Sequence, residues 1–565
     1  MMRSWPLLLA CLALAGCQTR PRPVVVEPTG LPWFNDATQA WGIDFVHDPG
    51  PLDNKFFMPQ SIGSGAALFD FDGDDRLDVL LLNNGGPRGA TNRLFRQKAD
   101  GTFQDVSAGS GLDFSGHCMG AAVGDVNNDG RPDVLITLYG SVRLLLQESP
   151  GKFRDATAQA GLDNPAWGTS ACFLDYDRDG WLDLVVVNYV DYDPRIECRG
   201  PGRPPDFCHP LSFPGTVSRL FRNRGVGPDG AWRGMEDVTV ASGLVKLPGT
   251  GLGVTTMDFN GDGWPDILVA NDAIPNRLWI NQKNGTFLDE AMERGLAVNV
   301  LGQAQGNMGI AIGDTRGIGL FDVFITHLTQ ETHTLWRQGP RGFYRDETAA
   351  TGLLTSRGRG TGFGTVLGDF NHDGRLDLAI VNGRVMRGTP AEGEHLAPFW
   401  RPYAESNQLY SGEEGGRFQN ISAANAPFCG QAWVSRALVG GDIDGDGAID
   451  LLVTRVGESA RLYRNVAPDR GRWLLVRAVD PALRRDAYGA EIRLRTGSKT
   501  WLGWVNPGQS YLASNDPRVH VGLGSLTTYD AIEVLWPNGD RELFPGGETN
   551  RQVTLRKGQG KKAGP

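Results

Sequence analysis

The chain of 565 residues carries 65 acidic against 55 basic side chains, a formal net charge of −10, and includes 77 glycines. The length admits more than one domain, and an acidic balance without a basic, aromatic-studded stripe excludes nucleic acid as the expected partner. Many glycines among short apolar runs, with few long helical patterns, predict an all-β protein full of turns.

In chain order, Arg3 precedes an apolar stretch, Pro6 to Ala15, that is too short to span a bilayer and ends in small residues, as a secretory signal does. Leu14-Ala15-Gly16-Cys17 resembles a bacterial lipobox, which implies a signal peptide over residues 1–16, lipid on Cys17 and a proline-rich tether over 17–32. Gln18, where an Asp would resemble an inner-membrane retention signal, points to the outer membrane, on either its periplasmic or its outer side. A plain signal peptide with an accidental cysteine is the alternative. No later segment is apolar enough to cross, so the expected membrane contact is through the lipid alone.

From residue 33 the chain repeats. Acidic nonapeptides begin at Asp70, Asp125, Asp175, Asp258, Asp369 and Asp442, with a worn copy at Asp314. Most of the starts lie about 55 residues apart, a period of propeller blades or a solenoid. Positions 1, 3, 5 and 9 are Asp70, Asp72, Asp74 and Asp78; Asp125, Asn127, Asp129 and Asp133; Asp175, Asp177, Asp179 and Asp183; Asp258, Asn260, Asp262 and Asp266; Asp369, Asn371, Asp373 and Asp377; and Asp442, Asp444, Asp446 and Asp450. Alternate oxygen-bearing residues on a tight loop, with glycine at position 6 for the left-handed turn, form a cage for a hard divalent cation, and calcium is the natural occupant. About six sites are expected. In the worn copy Arg316 and Ile318 replace ligands, and that loop is expected to be empty.

Each loop lies between two apolar runs, followed by an Arg-Leu-aromatic phrase such as Arg461-Leu-Tyr and by an aromatic-x-Asp phrase such as Phe103-Gln-Asp. Four short strands per unit predict a seven-bladed β-propeller over residues 33–470, with calcium-binding hairpin loops on one face. The phrase at Trp33 to Thr38 has no unit before it, and the last unit lacks a fourth strand, so the first is expected to complete the seventh blade. A solenoid is the alternative.

The long links, about Val190 to Pro214, Arg384 to Glu405 and Asp44 to Ser64, then fall on the face opposite the metals. Tyr192, Arg195, Arg384, Arg387 and Trp400 are its candidate ligand platform. Asn83, Asn188, Asn271 and Asn382 recur at one repeat position, where bonding their own backbone at strand ends is the expected role. Cys198 and Cys208 share one insertion and are expected to pair in an oxidising compartment. Cys118 and Cys172 read as buried apolar residues, and Cys429 stays unassigned. Residues 471–557 read as a small β domain, and 558–565 as a frayed tail.

The acidic loops within repeating strands resemble FG-GAP or VCBS repeats. Asp486-Ala-Tyr-Gly-Ala490, the run from Gly508 to Gly524 and Val534 to Gly539 are similar to the ASPIC/UnbV domain. In that order the parts resemble the cartilage acidic protein family and its bacterial lipoprotein relatives. The resemblance implies a calcium-bearing extracytoplasmic propeller and brings no reaction with it. A binding or scaffold protein meeting a protein or glycan is the first functional reading. A calcium-dependent polysaccharide lyase or hydrolase is the second, for which His327, His333, Arg384 and His395 are available in the links.

Overall fold

The structure, a computed structural model, describes residues 30–199, 202, 204–354, 359–391, 395–497 and 499–563. The expected leader and Cys17 lie outside the described residues. No helix among the described residues is long and apolar enough to cross a membrane.

Each repeat folds as the alternation of apolar runs and tight turns dictates. In the first, Ala66–Phe69 enters the acidic loop and Asp78–Leu81 leaves it, followed by Arg93–Gln97 and Phe103–Asp105, all antiparallel. Seven such four-stranded sheets form, here numbered one to seven in the order of their acidic loops. Sheet seven is closed by the start of the chain, since Phe34–Asp36 pairs with Arg461–Asn465. The first strands of neighbouring sheets touch all the way round, including Ala66–Phe69 against Ser435–Gly441. The apolar cores lie between adjacent sheets. Leu68, Val79 and Phe95 of sheet one, for example, pack on Val439, Leu452 and Leu462 of sheet seven. Closing the ring in this way buries the last apolar face and leaves sheet seven no open edge from its own strands.

The glycine-rich start of each first strand has a steric reason. A Cβ on Gly309 would stand 2.1 Å from the Phe363 carbonyl oxygen, and one on Gly364 would stand 2.3 Å from the Leu438 nitrogen. Neighbouring first strands approach too closely there for any side chain.

From Arg472 onward two small sheets pack face to face around Leu474, Val476, Ile492, Leu494, Ile532, Val534 and Trp536. The expected tail from residue 558 is corrected: Lys561–Lys562 pairs with Glu542 and Leu543, so the domain runs on to the end of the described chain.

This domain sits on the acidic-loop face, and one of its segments, Asn506 to Asp516, descends into the middle of the ring. Ala513–Ser514 adds a parallel strand to Ala66–Phe69. Leu512 lies against Gly120 of sheet two, and its N–H donates to Ser170 Oγ of sheet three. Asn506 Nδ2 donates to the Thr256 carbonyl of sheet four, and Ser510 exchanges backbone bonds with Ile310 of sheet five. Ser510 Oγ accepts from the Thr365 N–H of sheet six and donates to the Leu438 carbonyl of sheet seven. The segment therefore contacts every sheet, and Tyr511 reaches beyond them, its hydroxyl donating to the Ile62 carbonyl at 2.9 Å.

The long links meet on the other face as expected. Cys198 and Cys208 are disulfide-bonded and close a short ribbon in which Cys198–Arg199 pairs with Pro205–Asp206. The bridge spans a sequence separation of 10, for which chain entropy gives at most about 3 kcal/mol. Cys198→Ser with Cys208→Ser is expected to lower the unfolding midpoint by a few degrees and to speed proteolysis within 190–214. An unchanged digestion pattern would show that the link is held by packing alone.

Candidate metal centres

Every intact loop is wound by its own carboxylates. Position 1 faces the backbone N–H groups of the following turn: Asp70 Oδ1 accepts from Gly73 and Asp74, and Asp258 Oδ2 accepts from Gly263 at 2.6 Å. Position 6 is left-handed throughout, with Asp75 taking φ 63° where the other loops have glycine. Position 4 is left-handed as well, including Asn128, Arg178 and His372, which the sequence pattern had not suggested.

Position 9 is the anchor. Asp78, Asp133, Asp183, Asp266, Asp377 and Asp450 are fully buried, as is Asp322 of the worn loop. In the intact loops one oxygen accepts the N–H of position 2, from Phe71, Val126, Tyr176, Phe259, Phe370 and Ile443. The other accepts an N–H at the end of the third strand, such as Gln97 at 2.8 Å or Asn465 at 2.7 Å.

The third-strand residues carry the bonding from sheet to sheet. Gln97, Gln147, Asn223, Asn281, Gln338 and Asn465 each donate from the side-chain amide to the position-2 carbonyl of the preceding loop. The result is a belt of amides through all seven loops, interrupted only where Gly412 stands at this position in sheet six. Asn223 uses all four of its bonds, to Val126, Leu182, Gly225 and the Trp232 indole. Asn223→Leu orphans buried carbonyls at about 1–3 kcal/mol each and is expected to lower the unfolding midpoint by several degrees. A shift below one degree would remove the belt from the account of stability.

In three loops the carboxylates at positions 1, 3 and 9 converge, with one oxygen of each within 4.8 Å of the others: Asp70, Asp72 and Asp78; Asp175, Asp177 and Asp183; Asp442, Asp444 and Asp450. The other three loops offer the carboxamides of Asn127, Asn260 and Asn371 at position 3. Asp177 Oδ1 and Asp442 Oδ1 are buried without a hydrogen-bond donor. Burial pushes the carboxyl of Asp78 up to about 8, and those of Asp369 and Asp442 to about 7. Crowded, dehydrated carboxylates with bare oxygens are a donor set that fits a hard dication.

The worn loop differs in kind. Arg316 Nη2 donates to Asp322 Oδ1 at 2.7 Å and to the Gln338 carbonyl at 2.7 Å, so a guanidinium lies against the position-9 carboxylate. The C-terminal domain adds cations above other loops. Arg485 donates to Asn128 Oδ1 and the Gly180 carbonyl, and Arg477 pairs with Asp75 at 3.1 Å. Burial lowers the pKa of Arg485, and the neighbouring Asp175 and Asp125 oppose that shift.

On the opposite face the expected platform is corrected for its two aromatics. Tyr192 is buried among Phe57, Tyr139, Trp167 and Phe213, and Trp400 is buried and lies parallel to Phe207. Arg384 pairs with Glu405 at 2.9 Å, Arg387 lies over Phe56 with its N–H on Asp206, and exposed Arg195 pairs with Asp193. The aromatics cement the links together, buried in shared clusters with Met58, Ile62, Val190 and Leu396.

The recurrent asparagines bond across to the facing link: Asn83 Nδ2 donates to the Thr91 carbonyl and Asn382 Nδ2 to that of Ser406. His327 is buried and His333 half-buried, desolvation lowers the pKa of both, His333 to about 4, and their Nδ1 atoms face backbone groups. His395 faces the Ala432 carbonyl. Cys118, Cys172 and Cys429 are buried free thiols.

Arg436 had no expected role. At its repeat position the other sheets have Ser64, Met119, Thr169, Leu252, Met308 and Phe363, and aligning the units would have exposed the odd residue. It lies 3.9 Å over the Phe363 ring and donates to the carbonyls of Ser61, Gly383, Arg384 and its neighbour Ser435, tying two links to the first strand of sheet seven.

Acid-looped sheets in a ring, capped by a β domain on the loop face, define the class: a propeller of FG-GAP-like repeats, matched over residues 70–136, 125–186 and 258–325, with an ASPIC and UnbV domain matched over 480–562. Within that class the chain is homologous to cartilage acidic protein 1. It is 26% identical to the Xenopus tropicalis protein over 320 residues and 27% identical to the Homo sapiens protein over 327 residues. Each match covers 54% of this chain and, respectively, 44% and 43% of the relative, so less than half of those longer proteins is represented. Among solved structures, the BP39L lectin of Burkholderia pseudomallei is 12% identical at TM-score 0.42, covering 72% of this chain and 97% of its own. An Agrocybe aegerita lectin described as recognising non-reducing terminal N-acetylglucosamine is 15% identical at TM-score 0.36, covering 65% and 84%.

Proposed function

We propose that this protein is a calcium-stapled binding or scaffold protein, tethered to an outer membrane through lipid on Cys17, that meets a protein or glycan on the face opposite its acidic loops. One observation carries the choice of face: the C-terminal domain covers the loop side and fills the centre of the ring, while the three long links leave polar groups exposed on the other. Calcium is supported by the convergence of carboxylates and by their bare oxygens. All six intact loops offer side-chain oxygens at positions 1, 3, 5 and 9, as befits repeated structural sites.

The residues available to an enzyme are committed elsewhere, His327 to the Gly306 carbonyl, His333 to the Gln408 side chain and Arg384 to Glu405. Binding of the full chain to arrayed glycans and to envelope proteins tests the reading. Binding that Arg195→Glu or Arg387→Glu weakens at least tenfold, and that exposed substitutions on the outer rim such as Met292→Glu leave alone, supports it. Binding that maps to the C-terminal domain would overturn it.

A further inference from the structure

The six intact loops fall into two groups, and a residue far away in sequence follows the division. Sheets one, three and seven have Asp at loop position 3, and their third strands carry Arg96, Arg222 and Arg464 at the residue after the aromatic. Sheets two, four and six have Asn at position 3, and there the third strand carries Leu146, Ile280 and Ser411. The structure joins the correlated residues. Arg96 Nε lies 2.5 Å from Asp72 Oδ2, Arg222 Nε 2.7 Å from Asp177 Oδ2, and Arg464 Nε 2.6 Å from Asp444 Oδ2.

In the asparagine loops the side-chain amide occupies the corresponding outward position, with Asn127, Asn260 and Asn371 donating from Nδ2 to the position-5 carboxylates. Sheet five is an internal control. Its third strand also has an arginine, Arg337, but loop position 3 is Arg316, and Arg337 turns away to Glu347 and the carbonyls of Gly415 and Gly416. The arginine goes to the loop only where an acid waits for it. Position 5 does not divide the groups: a further cation meets that Asp in five loops, Arg76, Arg131, Lys283, Arg375 and Arg470, and in sheet three Arg222 itself also reaches Asp179 at 3.5 Å.

We infer that Arg96, Arg222 and Arg464 are charge-setting positioning residues: each cancels one carboxylate at position 3, so that four carboxylates and a guanidinium present a dication with the same net charge as three carboxylates and an amide. The inference rests on the calcium reading of the loops. Its physical content is that position 3 supplies one inward oxygen of nearly neutral character in both groups, which matches the sites in affinity. Removing a positive charge a few ångströms from a bound dication tightens its binding on the order of tenfold at a half-exposed site, less at high salt.

The experiment is a calcium titration of the full chain against a chromophoric chelator, with bound ions counted by native mass spectrometry. The parent is expected to take up about six ions in one phase. The triple variant Arg96→Leu, Arg222→Leu, Arg464→Leu is expected to split this into two phases of three ions, the first about tenfold tighter. Arg→Lys at the three positions is expected to keep the parent curve, and adding Asp72→Asn, Asp177→Asn and Asp444→Asn to the leucine variant is expected to restore a single phase. Weaker or unchanged binding in a folded leucine variant, or failure of the added asparagines to restore the curve, would overturn the inference. A parent that binds no ions would overturn the calcium reading itself, which is a separate result.

Discussion

Stripping divalent ions from the full chain is expected to lower its midpoint of thermal unfolding by more than about 10 °C, and calcium added back is expected to restore it. A ligand that binds only the folded state at a hundredfold excess over its dissociation constant contributes about 2.7 kcal/mol per site. Six such sites together rival the whole stability of an ordinary domain, about 5–15 kcal/mol. The loops are coupled to one another by the amide belt, so the loss is expected as one cooperative transition.

The pH dependence follows from the buried carboxyls, whose folded pKa values are raised by burial: Asp78 to about 8, Asp369 and Asp442 to about 7, and Asp125, Asp175 and Asp258 to about 6. Between the unfolded value near 4 and these values the metal-free fold holds more protons than the unfolded chain, so its stability falls as pH rises from about 5 to 8. With calcium bound the ions take the place of those protons, and the slope is expected to flatten or reverse. Equal midpoints with and without chelator across this range would remove the metal from the account of the loops.

Tyr511→Ala is expected to cost about 3–5 kcal/mol, the largest loss for a single truncation outside the loops. The ring is fully buried, meets Phe363 edge-on with centroids 4.8 Å apart, and bonds Ile62 at the far end of the channel. Leu512→Asp places an unpaired charge in the same seat and is expected to be worse. Because the inserted segment ties the two domains, calorimetry on Tyr511→Ala is expected to resolve separate propeller and C-terminal transitions where the parent shows one. Trp536→Ala, confined to the core of the small domain, serves as the comparison. A single transition within one degree of the parent would show that the ring is stable without its plug.

Local rules made much of this legible. The nonapeptides announce hairpin turns because alternate residues must point inward and position 6 must be left-handed. The phrase at Trp33 announces the closing strand because an unpaired edge demands a partner. The pair Cys198 and Cys208 is near enough in sequence for chance contact to favour it. The two platform aromatics show the limit: an aromatic in a proline-rich link looks available until the fold draws it into the apolar cluster beneath, as with Tyr192 and Trp400.

The amino-acid sequence by itself determined the repeat, its four strands, the acidic loops and the presence of a second β domain, all of which depend on periodicity within some sixty residues. Only the tertiary structure decided which face that domain covers, that the segment around Tyr511 descends through the ring, that Arg436 binds backbone carbonyls from two links, and that Arg96, Arg222 and Arg464 answer the acids at loop position 3. Each of these joins residues from different sheets or domains. Their energies come from burial and charge in a space that exists only after the ring has closed.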